Sequence, residues 1–151
     1  MTPRILIAGS DEQLRLWLRH HLQTLWPDAE PPSLDPQQFA HHLDTITRRN
    51  YDAVLLCASF GTTAQEASEG SEWLRRLRRE RRLPPLLVVA AQGNELAAVR
   101  ALRLGAAAYL PRDLLDARLL ERTLRKVLHA SRRRARRTAT AGRRHQAAGR
   151  A

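Results

Sequence analysis

The stretch that decides the fold reads Tyr51-Asp-Ala-Val-Leu-Leu-Cys57. Residues 53–57 form a continuous apolar run, which is typical of a β-strand that is covered on both faces of a sheet. This run is the clearest strand signal in the chain, and the rest of the sequence is interpreted outward from it.

Further strands are predicted on both sides of this run. Apolar runs occur at residues 4–8, 86–90 and 107–110, with helical patterns between them. A weaker strand at residues 30–34 contains Pro31 and Pro32, which cannot donate to a ladder, so it fits only an edge position. Alternating strands and helices predict a parallel sheet with right-handed crossovers and helices on both faces.

Two helices carry specific expectations. Ser10 and Gln13 have the spacing of a capping box, which predicts that Ser10 caps the first helix. Leu96, Val99 and Leu102 recur at helical spacing and predict the apolar face of the fourth helix.

The composition favours one cytoplasmic domain. A length of 151 residues suits a single domain with a sizeable core. No apolar run approaches the ~20 residues that span a bilayer. The single cysteine, Cys57, excludes an internal disulfide, which fits a reducing compartment.

The basic charge is concentrated at the C-terminal end. Of the 26 basic residues, eight are arginines within residues 131–151, which leaves 18 basic against 15 acidic residues elsewhere. We therefore predict a domain at residues 1–130 and a disordered tail at residues 131–151, because the tail has too little apolar content to pack. The arginines predicted to attract an acidic partner are Arg132, Arg133, Arg134, Arg136 and Arg137.

Three stretches resemble the receiver domain of response regulators in order and spacing. They are residues 4–15, residues 51–57 and residues 85–93, the last continued by Leu-Gly-Ala-Ala-Ala-Tyr-Leu-Pro-Arg at 104–112. The resemblance covers residues 4–128. It implies an α/β, flavodoxin-like, doubly wound sheet of five parallel strands in the order 2-1-3-4-5.

The resemblance also implies a degenerate phosphorylation pocket. The family's Mg²⁺-binding acids fall on Gly9 and Ser10, its phosphoacceptor aspartate on Cys57, its Ser/Thr on Ala90 and its lysine on Arg112. Magnesium prefers carboxylate oxygens, and phosphoryl transfer relies on that metal. We therefore expect no phosphorylation, no bound metal or cofactor, and no enzymatic activity.

Two alternatives remain open at this pocket. Cys57 is either a small buried residue or a redox-sensitive thiol whose pKa is lowered by Arg112. The pocket is either vestigial or a site where Arg112 and the first helix bind an anion.

The resemblance points to an interaction face on the fourth helix, fifth strand and fifth helix. Tyr109 keeps the family's aromatic residue on the fifth strand, and charges of both signs surround it, which allows self-association. The residues of this predicted face are Arg100, Arg103, Tyr109, Asp113, Asp116, Arg118, Glu121 and Arg122.

The function that these patterns favour is a phosphorylation-independent pseudo-receiver, acting as a protein-interaction module in bacterial signal transduction. Its expected partner is a signalling protein, self-association included. The alternative is a nucleic-acid-associated protein that binds nonspecifically through the arginine-rich tail, which lacks aromatic residues for base stacking.

Overall fold

The computed structural model describes residues 2–58, 69–79, 83–90 and 95–149, and its centre is one parallel sheet. The strand order 2-1-3-4-5 and the flavodoxin-like fold predicted from the sequence are confirmed. The strands are β1 (Ile5–Gly9), β2 (Ser33–Leu34), β3 (Ala53–Ala58), β4 (Leu86–Ala90) and β5 (Ala108–Pro111).

Five helices connect or follow the strands. They are α1 (Glu12–Leu25), α2 (Pro36–His41), α3 (Glu69–Arg78), α4 (Glu95–Arg103) and α5 (Ala117–Gly149), with short 3-10 turns at Leu43–Thr45 and Arg112–Leu114. The small, polar sequence of residues 58–70 predicts a long loop, most of which lies outside the described residues.

The core has two halves, one on each face of the sheet. Alternate strand residues such as Ile7 and Leu55 face α1 and α5, where they pack against Leu18 and Leu124. The other strand residues face α2, α3 and α4, with the ring of Phe39 against the ring of Trp73 at a centroid distance of 4.8 Å. The continuous apolar strands are therefore covered on both faces, as their sequences predict.

The proline-bearing second strand lies at the sheet edge. The Ile7 amide donates to the Pro32 carbonyl at 2.9 Å, and only Ser33 and Leu34 form the strand itself. Proline lacks an amide hydrogen but retains its carbonyl. Pro32 can therefore accept a hydrogen bond from β1, and at the sheet edge no further strand requires the missing donor.

The C-terminal segment differs from the predicted disordered tail. Helix α5 continues without interruption past residue 131 to Gly149. Alanine and arginine dominate this segment, and both are strong helix formers. The low apolar content therefore limits packing against the domain but does not prevent a helix.

Candidate functional site

The carboxyl ends of the strands bring the predicted pocket residues together. Gly9 is paired with Cys57 in the register of β1 and β3. Ala90 ends β4 and is paired with Pro111, which directly precedes Arg112. The positions that the receiver resemblance assigns to the pocket therefore meet at one edge of the sheet.

Gly9 leaves no room for a side chain at the first of these positions. Its φ angle is +146°, and a Cβ atom there would lie 1.9 Å from the Cys57 carbonyl oxygen and 2.6 Å from the Cys57 Cβ. A φ in this range is costly for any residue but glycine. An acid at position 9 would therefore require the backbones of β1 and β3 to separate.

Cys57 is enclosed by the apolar core. Its side chain is 1% exposed and belongs to the half of the core beneath α1 and α5. Burial raises the pKa of the Cys57 thiol to about 12; the Asp11 carboxylate raises it further, and the Arg15 guanidinium lowers it. Because the thiolate is the reactive species, this thiol is unreactive at neutral pH. The structure thus favours the interpretation of Cys57 as a packing residue over that of a redox switch.

Asp11, rather than Ser10, caps the first helix. The Asp11 carboxylate accepts a hydrogen bond from the Leu14 amide at 3.1 Å, and α1 begins at Glu12. The predicted capping box of Ser10 and Gln13 is therefore wrong by one residue. Both residue types cap well, and the negative charge of Asp11 is favoured further by the helix dipole.

The second oxygen of Asp11 holds Arg112. A guanidinium nitrogen of Arg112 lies 3.2 Å from the Asp11 carboxylate, across the edge of the sheet. The cation that the anion-binding hypothesis invokes is thus already paired with a carboxylate. The sequence did not indicate this pair, because the two residues are 101 positions apart in the chain.

The residues at this edge do not fit a magnesium site. Gly9 contributes no side-chain oxygen, Cys57 contributes a buried protonated thiol, and both Asp11 oxygens are engaged. Magnesium needs hard oxygen ligands in near-octahedral geometry. Within the described residues, no group of three or more His, Cys, Asp or Glu side chains is arranged to hold a metal ion.

The fourth helix presents the opposite face from the one predicted. Ala97 and Ala101 are fully buried, whereas Leu96, Val99 and Leu102 are 43%, 45% and 50% exposed. The prediction that these three larger residues form the core-facing side is wrong. The small alanines allow α4 to approach α3 and β5 closely, and this turns the larger side chains outward.

The residues of the predicted interaction face lie on α4 and β5 and on the segment that leads into and forms α5. Arg103 is exposed on α4, Tyr109 is half-buried on β5, and Arg118 and Arg122 are exposed on α5. Burial raises the pKa of the Tyr109 phenol.

Two acids of the predicted face serve local structure. Asp116 accepts from the Leu119 amide at 2.7 Å at the start of α5. Glu121 pairs with Arg125 one turn later on the same helix, at 3.0 Å. Both carboxylates therefore interact within α5.

Comparisons with known proteins support the fold. No family model and no curated protein matches the chain. Among solved structures, a response regulator receiver protein from Pseudoalteromonas atlantica is similar, with a TM-score of 0.62 and 16% identity over 84% of this chain and 98% of that one. A DNA-binding response regulator of the LuxR family from Staphylococcus aureus has a TM-score of 0.61 and 19% identity over 83% of this chain and 98% of that one.

A longer similar structure is NtrX from Brucella abortus in complex with ATP. Its TM-score is 0.72 at 18% identity, and the match covers 91% of this chain but only 29% of NtrX. The chain thus has the fold of a response-regulator receiver domain. In the part of the chain that the structure describes, no helix combines the length and apolar character that a membrane crossing requires.

Proposed function

We propose that this chain is a signal-transduction module of the receiver fold that works by binding another protein and is not phosphorylated. The observation that carries the proposal is the apolar stripe on α4. It consists of Leu96, Val99 and Leu102, each of which is about half exposed. Burying these halves would contribute about 1 kcal/mol per side chain.

The location of the stripe suits docking. It lies on α4, which packs against the edge strand β5 that carries Tyr109, and Arg103 is exposed on the same helix. Apolar side chains at the centre with polar residues around them are the usual composition of a protein interface. The proposed partner is a bacterial signalling protein, and a second copy of this chain is the simplest such partner because the face carries both signs of charge.

The degenerate pocket supports the phosphorylation-independent part of the proposal. A buried thiol replaces a carboxylate at Cys57, Gly9 has no space for a metal ligand, and Asp11 is tied to Arg112. Each difference removes a different component of metal-assisted phosphoryl transfer. The proposed module is therefore not an enzyme and needs no cofactor.

Site-specific photo-crosslinking tests the proposed face. A photoreactive amino acid replaces Val99 in one variant and Leu16 in another; Leu16 is 58% exposed on α1, on the other face of the sheet. Irradiation of cells that express the chain should give a discrete adduct from position 99 and none from position 16. The adduct mass distinguishes a second copy from another protein. No adduct at position 99, or equal adducts at both positions, would overturn the proposal.

A further inference from the structure

Helix α5 extends well beyond the domain that it helps to form. Leu120, Leu124 and Leu128 are buried one turn apart, and Ser131 is the last half-buried residue among those described. From residue 132 the helix continues to Gly149, which at 1.5 Å per residue is a projection of roughly 27 Å. The projecting helix is therefore nearly as long as the diameter of a small domain, which is about 30 Å.

The first two turns of this projection carry a dense positive charge. Arg132, Arg133, Arg136 and Arg137 are all exposed. They form two pairs spaced four residues apart, and at 100° per residue the four lie within about 140° of the helix circumference. We call these four residues the basic stripe.

The basic stripe has no acidic neighbour along the helix. The last acid of the chain, Glu121, pairs with Arg125. Like charges four residues apart destabilise a helix by about 0.2–0.5 kcal/mol per pair. An external polyanion would reverse this repulsion and stabilise the projecting helix.

We infer that the basic stripe binds the phosphate backbone of duplex DNA, without reading the base sequence. Arginine binds phosphate through two parallel hydrogen bonds, and the major groove of DNA accommodates an α-helix. The four arginines sit at fixed positions on a helix. Their positive charges therefore have a defined spacing, which the charges of a disordered segment would not have.

The sequence of the projection argues against other polyanions. Helices that lie on anionic membranes bury Trp, Phe or Leu, but after Leu128 the only aliphatic residues are alanines. Single-stranded nucleic acid is usually held by aromatic stacking, and no Phe, Trp or Tyr follows Tyr109. Protein interfaces are usually anchored by large apolar side chains, which this segment also lacks.

Fluorescence anisotropy with a labelled DNA duplex tests the inference on the full chain. Replacing the four arginines of the basic stripe with glutamine should weaken binding at low salt by at least about tenfold. The slope of log affinity against log salt should fall in magnitude by about 3.6, because each lost phosphate contact removes about 0.9.

A matched control distinguishes the effect of losing the basic stripe from the effect of lowering the net charge. Glutamine replaces four exposed arginines of the domain, namely Arg19, Arg49, Arg75 and Arg79. This variant has the same net charge as the stripe variant and should bind DNA within about twofold of the unchanged protein. Equal losses in both variants, or no binding by the unchanged protein at low salt, would overturn the inference. Tighter binding to phosphatidylglycerol vesicles than to the duplex would overturn it in favour of a membrane.

A second variant tests whether the helix itself matters. Ala135→Pro keeps every charge but interrupts the helix between the two arginine pairs. Circular dichroism should show lost helicity, while the thermal transition of the domain stays unchanged. DNA affinity should fall by about tenfold; unchanged affinity would show that the arginines act as a flexible basic segment, and would overturn the role of the helix.

Discussion

Gly9 and Cys57 occupy adjacent strands with their backbones in direct contact, and this contact explains why position 9 cannot accept a side chain. The space that a side chain at position 9 would need is filled by the Cys57 carbonyl and Cβ. The two residues therefore form one packing unit.

The first prediction concerns this unit. Gly9→Ala combines a steric clash with a positive φ angle, so we expect a loss of more than about 3 kcal/mol in the free energy of unfolding. Gly105→Ala is the matched control, because Gly105 also has a positive φ of +104° but has nothing within 4 Å of an added Cβ. It should cost only about 1–2 kcal/mol of backbone strain. Urea unfolding measures both, and equal losses would show that the contact with Cys57 is unimportant.

The second prediction concerns the pH dependence of stability due to Cys57. Burial raises the thiol pKa in the folded protein from 9.0 to about 12, so the unfolded chain releases the proton more readily. The contribution of Cys57 to stability is therefore fully present below pH 9 and is lost as the pH rises toward 12.

The comparison that isolates this effect uses Cys57→Ala. The free energy of unfolding of the unchanged protein should decline more steeply above pH 9 than that of the variant. Parallel pH profiles of the two proteins would contradict a buried, protonated thiol. The same thiol should react with a disulfide reagent at neutral pH only after unfolding.

At the scale of elements, α4 shows how two apolar stripes can compete for the core. Leu96, Val99 and Leu102 form one stripe, and Ala97 and Ala101 form the other. Hydrophobicity alone favours the larger residues inside, but close approach of the helix to its neighbours requires the smaller ones. The exposed stripe is then available for a partner.

The third prediction tests this orientation with adjacent substitutions. Ala101→Leu places a large side chain at a fully buried position, so it should cost about 1–3 kcal/mol. Leu102→Ala removes a half-exposed side chain and should cost less than about 1 kcal/mol. Thermal or urea unfolding of both variants gives the ranking. The reverse ranking would mean that α4 is rotated to bury its leucines.

How far the sequence predicts these elements depends on what each pattern contains. The central strands were predictable because short continuous apolar runs are typical of strands that are buried on both faces of a parallel sheet. The start of α1 was not, because Ser10 and Asp11 are both good caps and only the observed bond to Leu14 distinguishes them. The orientation of α4 was not predictable, since periodicity identifies a stripe but not which of two stripes is inside.

The same limit applies to the site and to the C-terminal segment. The sequence placed Gly9, Cys57 and Arg112 at one edge of the sheet through the receiver resemblance. It missed the Asp11–Arg112 pair, because residues 101 positions apart show no periodicity that would link them. It also missed the continuation of α5, because poor packing was taken to mean disorder.

At the scale of the whole molecule, the differences from a phosphorylated receiver lie at several positions of one pocket. Restoring one residue should therefore not restore the chemistry. Cys57→Asp would return the phosphoacceptor but place a carboxylate at a position that is 1% exposed. Burial disfavours the charged form, so this carboxyl should have a raised pKa and should destabilise the fold by several kcal/mol, on the order of the cost of an unpaired buried charge.

The fourth prediction follows from the presence of several differences in this one pocket. Neither the unchanged protein nor Cys57→Asp should gain a phosphoryl group when incubated with acetyl phosphate and Mg²⁺, as measured by intact-protein mass spectrometry. The physical reason is that Gly9 cannot accept a metal-binding side chain while β1 and β3 remain in register, and that Asp11 is held by Arg112 and the α1 cap. Circular dichroism should first establish that the variant is folded. A stoichiometric mass gain by the folded variant would mean that the pocket needs only its acceptor and that the other differences are incidental. A gain by the unchanged protein would refute the phosphorylation-independent function directly.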